Sequence, residues 1–337
     1  MSVAVLRWCI WLLPLSACMA CWSPTWAQEQ AGATQGHDAR AWLLRVHEAA
    51  LQRNYQGTLV VSNGMQTATS RVQHFADGGQ QVERIDWLDG EARSMIRHND
   101  MVHTLWPNAK LAVIEQREPQ ATFPALFSGG EKRLLEWYEL HPLGLDRVAG
   151  LPAEVVLLKA RDALRFSQRL WAERRTGLLL RADVVAANGQ LLESVSFTEV
   201  SIGLRSQAEQ ALAVLRHLPG YRVVRNQALP TGLEQEGWVL TKPPAGFQEV
   251  NCARRSLNLV ATDQSPIVLQ TIFADGLTHI SLFIEPFDPK RHQAEAVTTL
   301  GATSTLATRR GDHWVTVVGD VPLDTLKKFV QALNRKR

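Results

Sequence analysis

Ten histidines and four cysteines are the residues of this 337-residue chain best suited to hold a metal or attack a substrate. Their spacing supports neither. A hydrolytic zinc site needs two histidines one helical turn apart with a glutamate between them, and no His-Glu-x-x-His occurs. A Gly-x-Ser-x-Gly elbow and a glycine-rich phosphate loop are also missing. His98 and His103 fall on different expected strands and lack a companion cysteine or carboxylate, so a structural or surface role outweighs metal ligation. Cys252 has no obvious base beside it and reads as an inert thiol rather than a nucleophile. Asp86 and Asp89 flank a turn, where aspartate serves the backbone. Cys18-Met19-Ala20-Cys21 has redox spacing without the strand–helix context that such a motif requires. No catalytic residue, metal ligand or cofactor is assigned. The chain reads as non-enzymatic, with a hydrolase of unrecognised site as a distant alternative.

The N-terminus sets the compartment. Residues 1–27 have the layout of a secretory signal, with Arg7, the apolar run Trp8–Leu15 and a small residue at Ala27. Cleavage after Ala27 would start the mature chain at Gln28. Leu15-Ser16-Ala17-Cys18 also resembles a lipobox, so acylation at Cys18 stays open as the minor alternative. Removal of the leader at Ala27 leaves only Cys252 and no possible intramolecular disulfide. No later apolar run is long enough for a membrane helix. With 45% hydrophobic residues the chain can build a large core, and a net charge of +3 gives no case for nucleic-acid binding.

Residues that bind must be positioned by a frame, and that frame is mostly strand. Around Asn188-Gly189, a hairpin signal, the stretch Arg165–Val200 alternates as a three-strand antiparallel meander with one oily face. Leu178, Leu180, Ala182 and Val184 are expected to share that face. Upstream, a helix capped by Asp38 runs to about Arg53. Strands separated by Asn63-Gly64, Gly78-Gly79 and Asp89-Gly90 then follow at the spacing of an up-and-down sheet. Glu118–Glu136 interrupts them as an irregular oily segment, either core filler or a lid over a cavity. Ser206–Leu218 reads as a short helix, and Tyr221–Gly237 as a connection. The remainder holds hairpins about Asp275-Gly276 and Gly311-Asp312. A final helix opens at Pro322, with Leu326, Phe329 and Val330 on its apolar face.

Several stretches, weak singly but specific in order, resemble the RseB/MucB family of periplasmic regulators across essentially the whole mature chain. They are Asn54-Tyr55-Gln56-Gly57-Thr58, Leu88-Asp89-Gly90 with Arg93, Arg147–Ala153, and Arg165-Phe166 with Arg169-Leu170-Trp171. Thr176–Leu180, Pro244-Ala245-Gly246-Phe247, Asp275-Gly276-Leu277 with Ser281–Glu285, and Val315–Pro322 complete the set. Leu164 and Ala274 depart from the family pattern, which commonly has an aromatic and a serine there.

The resemblance implies an α+β protein. Its N-terminal domain would be a LolA/LolB-like antiparallel half-barrel with helices in its mouth, followed by a smaller C-terminal α+β domain that binds the partner. The expected division is signal peptide 1–27, flexible tail 28–36, N-terminal domain 37–205, linker 206–236 and C-terminal domain 237–337. The implied function is negative regulation of an envelope-stress sigma factor. The protein would bind the periplasmic region of an inner-membrane anti-sigma factor, shield it from regulated proteolysis and sense lipid or lipopolysaccharide. A periplasmic lipid or lipoprotein carrier is the alternative, and a homo-oligomer is possible. Candidates to line a lipid cavity are Trp87, Trp106, Phe123, Phe127, Trp137 and Phe166. Candidates for partner contact are Arg254, Arg255, Phe273, His279 and Phe283, on an apolar hairpin with a basic rim.

Overall fold

The computed structural model describes residues 26–116, 123–126, 131–256 and 267–336. Helix α1 spans Trp26–Gln52. It begins ahead of the expected Asp38 cap. Six strands follow: β1 (Tyr55–Ser62), β2 (Thr67–Asp77), β3 (Gln80–Trp87), β4 (Arg93–His98), β5 (Met101–Trp106) and β6 (Leu111–Gln116). Helix α2 (Glu131–Trp137) leads into β7 (Tyr138–Val148), β8 (Leu151–Ala160), β9 (Ser167–Glu173), β10 (Leu179–Val185) and β11 (Leu191–Ile202). Helix α3 (Ala208–Ala213) and β12 (Arg222–Asn226) complete the first domain.

Among the described residues these strands form one 12-stranded sheet in the order β12-β6-β5-β4-β3-β2-β1-β11-β10-β9-β8-β7. All neighbours are antiparallel except β12 on β6. The ends do not pair with each other, so the sheet is open. Directly opposed residues share a face. One face therefore carries Tyr55, Leu59, Val72, Phe197, Val195, Ala182, Leu170 and Val156. There Leu43, Val46 and Ala49 of α1 and Leu134 of α2 pack. The opposite face carries Phe75, Val82, Ile96, Leu105 and Ala112, covered by Ala211, Leu212, Leu215 and Leu218.

Residues 206–236 are thus not a simple linker. The part up to Asn226 contributes a helix that buries apolar surface and a strand whose Val224 joins Leu111 and Val113. The meander also departs from strict alternation. Its register shifts between Leu179 and Arg181, and Leu178, Leu179 and Leu180 are all fully buried. Strand β7 passes through Pro142 with a register shift to Gly144.

The second domain holds β13 (Leu229–Pro230), β14 (Trp238–Leu240), β15 (Gln248–Ser256), β16 (Ile267–Ala274), β17 (His279–Pro286) and β18 (Ala296–Leu300). It ends with β19 (Thr303–Arg310), β20 (His313–Gly319), α4 (Leu323–Ala332) and β21 (Leu333–Arg335). Seven strands run in the order β13-β15-β16-β17-β20-β19-β18, and β14 pairs with β21. Leu326, Phe329 and Val330 of α4 cover one face of this sheet, against Leu269, Phe273, Ile280, Leu282, Val315 and Val317.

Candidate functional site

The most tightly built polar site is a buried join between the two domains. From the first domain come the end of α2, the start of β7 and the β8–β9 connection. From the second come the turn before β15, the β16–β17 turn and the start of α4. Arg165 lies at its centre, with its side chain and that of Asp275 fully removed from solvent. Arg165 Nη1 donates to Asp275 Oδ2 at 2.7 Å. Its Nε and Nη2 donate to the two oxygens of Asp162 at 2.9 and 3.1 Å, and Nη2 also donates to the Ala245 carbonyl at 2.6 Å. The Tyr138 hydroxyl donates to Asp275 Oδ2 at 2.9 Å. Asp275 Oδ1 accepts the Leu277 and Thr278 amides, each at 2.9 Å, which locks the β16–β17 turn. Arg133 Nη2 donates to the Gly246 and Ala274 carbonyls, and Thr325 Oγ1 donates to the Leu164 carbonyl.

Aromatic rings enclose the guanidinium, with Trp137 at 4.8 Å and Phe247 at 5.0 Å from its carbon. Gly246 makes the approach possible. It sits at φ +87, and a Cβ there would stand 2.7 Å from the Trp137 ring and 2.9 Å from Arg165 Nη1. Each domain also puts a leucine into its neighbour's core. Leu277 belongs to the apolar cluster under α1, and Leu164 packs against the α4 cluster. Burial pushes the Tyr138 hydroxyl well above its ordinary range, reinforced by the Asp275 charge, so it stays a donor. Burial pulls the Arg165 guanidinium down, but Asp162 and Asp275 outweigh that and leave it raised.

A site sealed this way cannot reach a substrate. What it can do is hold the two domains in one relative pose, because removing either charge would strand the other in a low-dielectric interior. A second contact supports the same pose. At Gly301, in the β18–β19 turn, a Cβ would stand 2.6 Å from Cβ of Asn63, so that turn rests on the β1–β2 turn.

The residues singled out from sequence fall in several places. Trp87 and Trp106 lie on the α1 face of the large sheet, with half-buried Ile85 and Met95 between them by register. Arg93 lies 3.9 Å over the Trp87 ring. Phe123 reaches the same face against Phe197, with ring centroids 5.7 Å apart. Trp137 belongs to the domain join instead. Phe166 is half-buried just before β9, and Phe127 lies outside the described residues.

Among the partner candidates, Phe273 is not at the surface. It is 3% exposed and packs on Phe329, because its face of β16 is the one that α4 covers. Arg254 is exposed and paired with Glu236. Arg255, His279 and Phe283 are half-buried on β15 and β17. The exposed apolar patch expected on this hairpin does not form, since Val268, Gln270 and Ile272 on the other face of β16 are also buried.

The chemistry read as missing gains no support from the geometry. Cys252 is buried against the Thr271 hydroxyl, and burial pushes its thiol up, away from nucleophilic character. No group of three metal-ligating side chains occurs among the described residues. The sequence pattern alone does not reveal the network around Arg165 as a site. Its signal was present in Arg165-Phe166, Pro244–Phe247 and Asp275-Gly276-Leu277, motifs far apart in the chain that meet here.

The sequence matches the MucB/RseB N-terminal domain over residues 38–215 and the MucB/RseB C-terminal domain over residues 232–334. It is 30% identical over 317 residues to the sigma factor AlgU regulatory protein MucB of Pseudomonas aeruginosa, covering 90% of this chain and 92% of that protein. The sigma-E factor regulatory protein RseB of Salmonella typhimurium is 24% identical, with coverage of 87% and 90%. Among solved structures, the P. aeruginosa MucA/MucB complex superposes with a TM-score of 0.68 at 28% identity, covering 89% of this chain and 99% of the matched one. MucB in complex with MucA(peri) gives 0.65 at 27% identity, covering 89% of this chain and 99% of that one.

Proposed function

This chain belongs to the MucB/RseB family, and from that premise we propose that it is a negative regulator of an envelope-stress sigma factor. It binds the periplasmic region of a MucA-like anti-sigma factor at the inner membrane and shields that region from proteolysis. Lipid or lipopolysaccharide relieves the block. The named relatives are regulatory proteins of sigma factors rather than enzymes. The observation that carries the reading is the likeness, over 89% of the chain and through both domains, to MucB solved with MucA(peri). The buried Arg165–Asp275 join supports it, because a partner spanning both domains needs them in a fixed pose.

The lipid-sensing half rests on the half-buried row Ile85, Trp87, Met95 and Trp106, which offers an acyl chain an apolar floor. The protein works in the periplasm, exported by the leader at 1–27. Among the described residues no helix is long and apolar enough to cross a membrane. The functional division is a first domain ending at Asn226 and a second beginning at Leu229. A protection assay tests this function. The intact chain should slow cleavage of the anti-sigma periplasmic segment by its site protease, and added lipopolysaccharide should restore it. Cleavage at an unchanged rate with the chain present in excess would refute the shielding role.

A further inference from the structure

A sheet edge exposes unpaired main-chain N–H and C=O groups, and proteins guard such edges with charge, proline, bulges or brevity. Among the described residues the two large sheets have four edges, and three are guarded. Strand β12 carries exposed Arg222 and Arg225. Strand β7 carries Pro142, a register shift and the exposed pair Asp146 and Arg147. Strand β13 is two residues long and ends in Pro230. The fourth, β18, reads Ala-Val-Thr-Thr-Leu, with no charge and no proline, and every residue is exposed.

A groove runs beside this edge. It encloses about 240 Å³ between Val297 and Leu306 on the sheet and Lys327, Val330 and Gln331 on α4. Val297 is opposed to Leu306, so it points to the α4 side, and it is 51% exposed. The far end of β18 abuts the first domain. Beyond the Gly301 contact with Asn63, the Glu193 carboxyl of β11 lies near the Ala302 amide.

We propose that β18 is the docking strand for an extended segment of the partner polypeptide, which adds to the sheet edge and puts an apolar side chain into the groove. This rests on the partner-binding function proposed above and locates it. An unpaired ladder is matched only by another extended chain, and the groove has room for one or two side chains but not for a folded element. A second copy of this chain would pair β18 antiparallel to itself, an outcome that the test below separates. A segment seated on β18 lies next to both domains, so a change in their relative pose alters its seat.

The test uses the intact mature chain and the periplasmic segment of the MucA-like anti-sigma factor from the same organism. Hydrogen exchange should slow at residues 296–300 when the segment is added. Val297→Lys, which places a guarding charge on an exposed position, should weaken binding about tenfold, as loss of one or two edge hydrogen bonds would. Its melting temperature should stay that of the wild type, and Val223→Lys on the β12 edge should bind normally. Binding without protection of 296–300, or unchanged binding by Val297→Lys, overturns the proposal and leaves the proposed function standing. Protection that rises with chain concentration alone assigns the edge to a second copy and also overturns it. No binding by the wild-type chain overturns both.

Discussion

Replacing Arg165 by methionine keeps most of the side-chain volume and removes the cation from the domain join. Asp275 is then left as a fully buried carboxylate, still hydrogen-bonded by Tyr138 and by the Leu277 and Thr278 amides but without its counter-charge. Breaking a buried pair by deleting one partner costs about 3–5 kcal/mol. For a domain of this size that corresponds to a melting temperature lower by roughly 10 °C. The second substitution separates charge from packing. In the Arg165→Met/Asp275→Asn double variant no ion is stranded, and an amide oxygen can still accept from the turn, so about 2 kcal/mol or more should return. Urea unfolding followed by tryptophan fluorescence measures both values, with Trp137 beside Arg165 as a local reporter. A single variant within about 1 kcal/mol of wild type, or a double variant no better than the single, would refute the role given to this pair.

Trp106→Asp should weaken lipopolysaccharide binding roughly 60-fold, from roughly 100 Å² of lost apolar contact at about 25 cal/mol per Å²; an unchanged dye-displacement titration would move the lipid site elsewhere. A fragment of residues 28–205 lacks α3 and β12 and uncovers Ile96, Leu105 and Ala112, so it should melt well below a fragment of residues 28–228; equal melting would show that these elements add nothing. Glu173→Gln tests a turn at the end of β9. Burial raises this carboxyl, but the Thr176 hydroxyl and the Arg175 and Thr176 amides outweigh it and hold the value below the ordinary glutamate range. A lowered folded value means the unfolded chain binds the proton first, so the stabilisation is present above the ordinary glutamate pKa and is lost as pH falls through the folded value. The stability gap between wild type and variant should therefore narrow on acidification, and a constant gap in pH-dependent melts would contradict the assignment.

Much of the fold was legible in the sequence because its signals are local. Asn63-Gly64, Asp89-Gly90 and Asn188-Gly189 each mark a turn between strands that pair as read. The final helix was legible from its apolar spacing and Pro322. What escaped depends on neighbours distant in the chain. Strand β12 is set by pairing with β6, and β18 by pairing with β19. The register shift that buries Leu178, Leu179 and Leu180 together defeats a period-2 reading. Alternation alone does not say which face of β16 α4 covers, so it does not reveal that Phe273 is buried. The site was least legible. Arg165 and Asp275 stand 110 positions apart, and nothing in either local pattern signals a pair.

Titration calorimetry of the intact mature chain and of the 28–228 fragment against the anti-sigma periplasmic segment tests the central claim most directly. The account predicts a saturable binding heat for the intact chain and none for the fragment, since the docking strand and its groove belong to the second domain. No heat from the intact chain, or equal binding by the fragment, would contradict it.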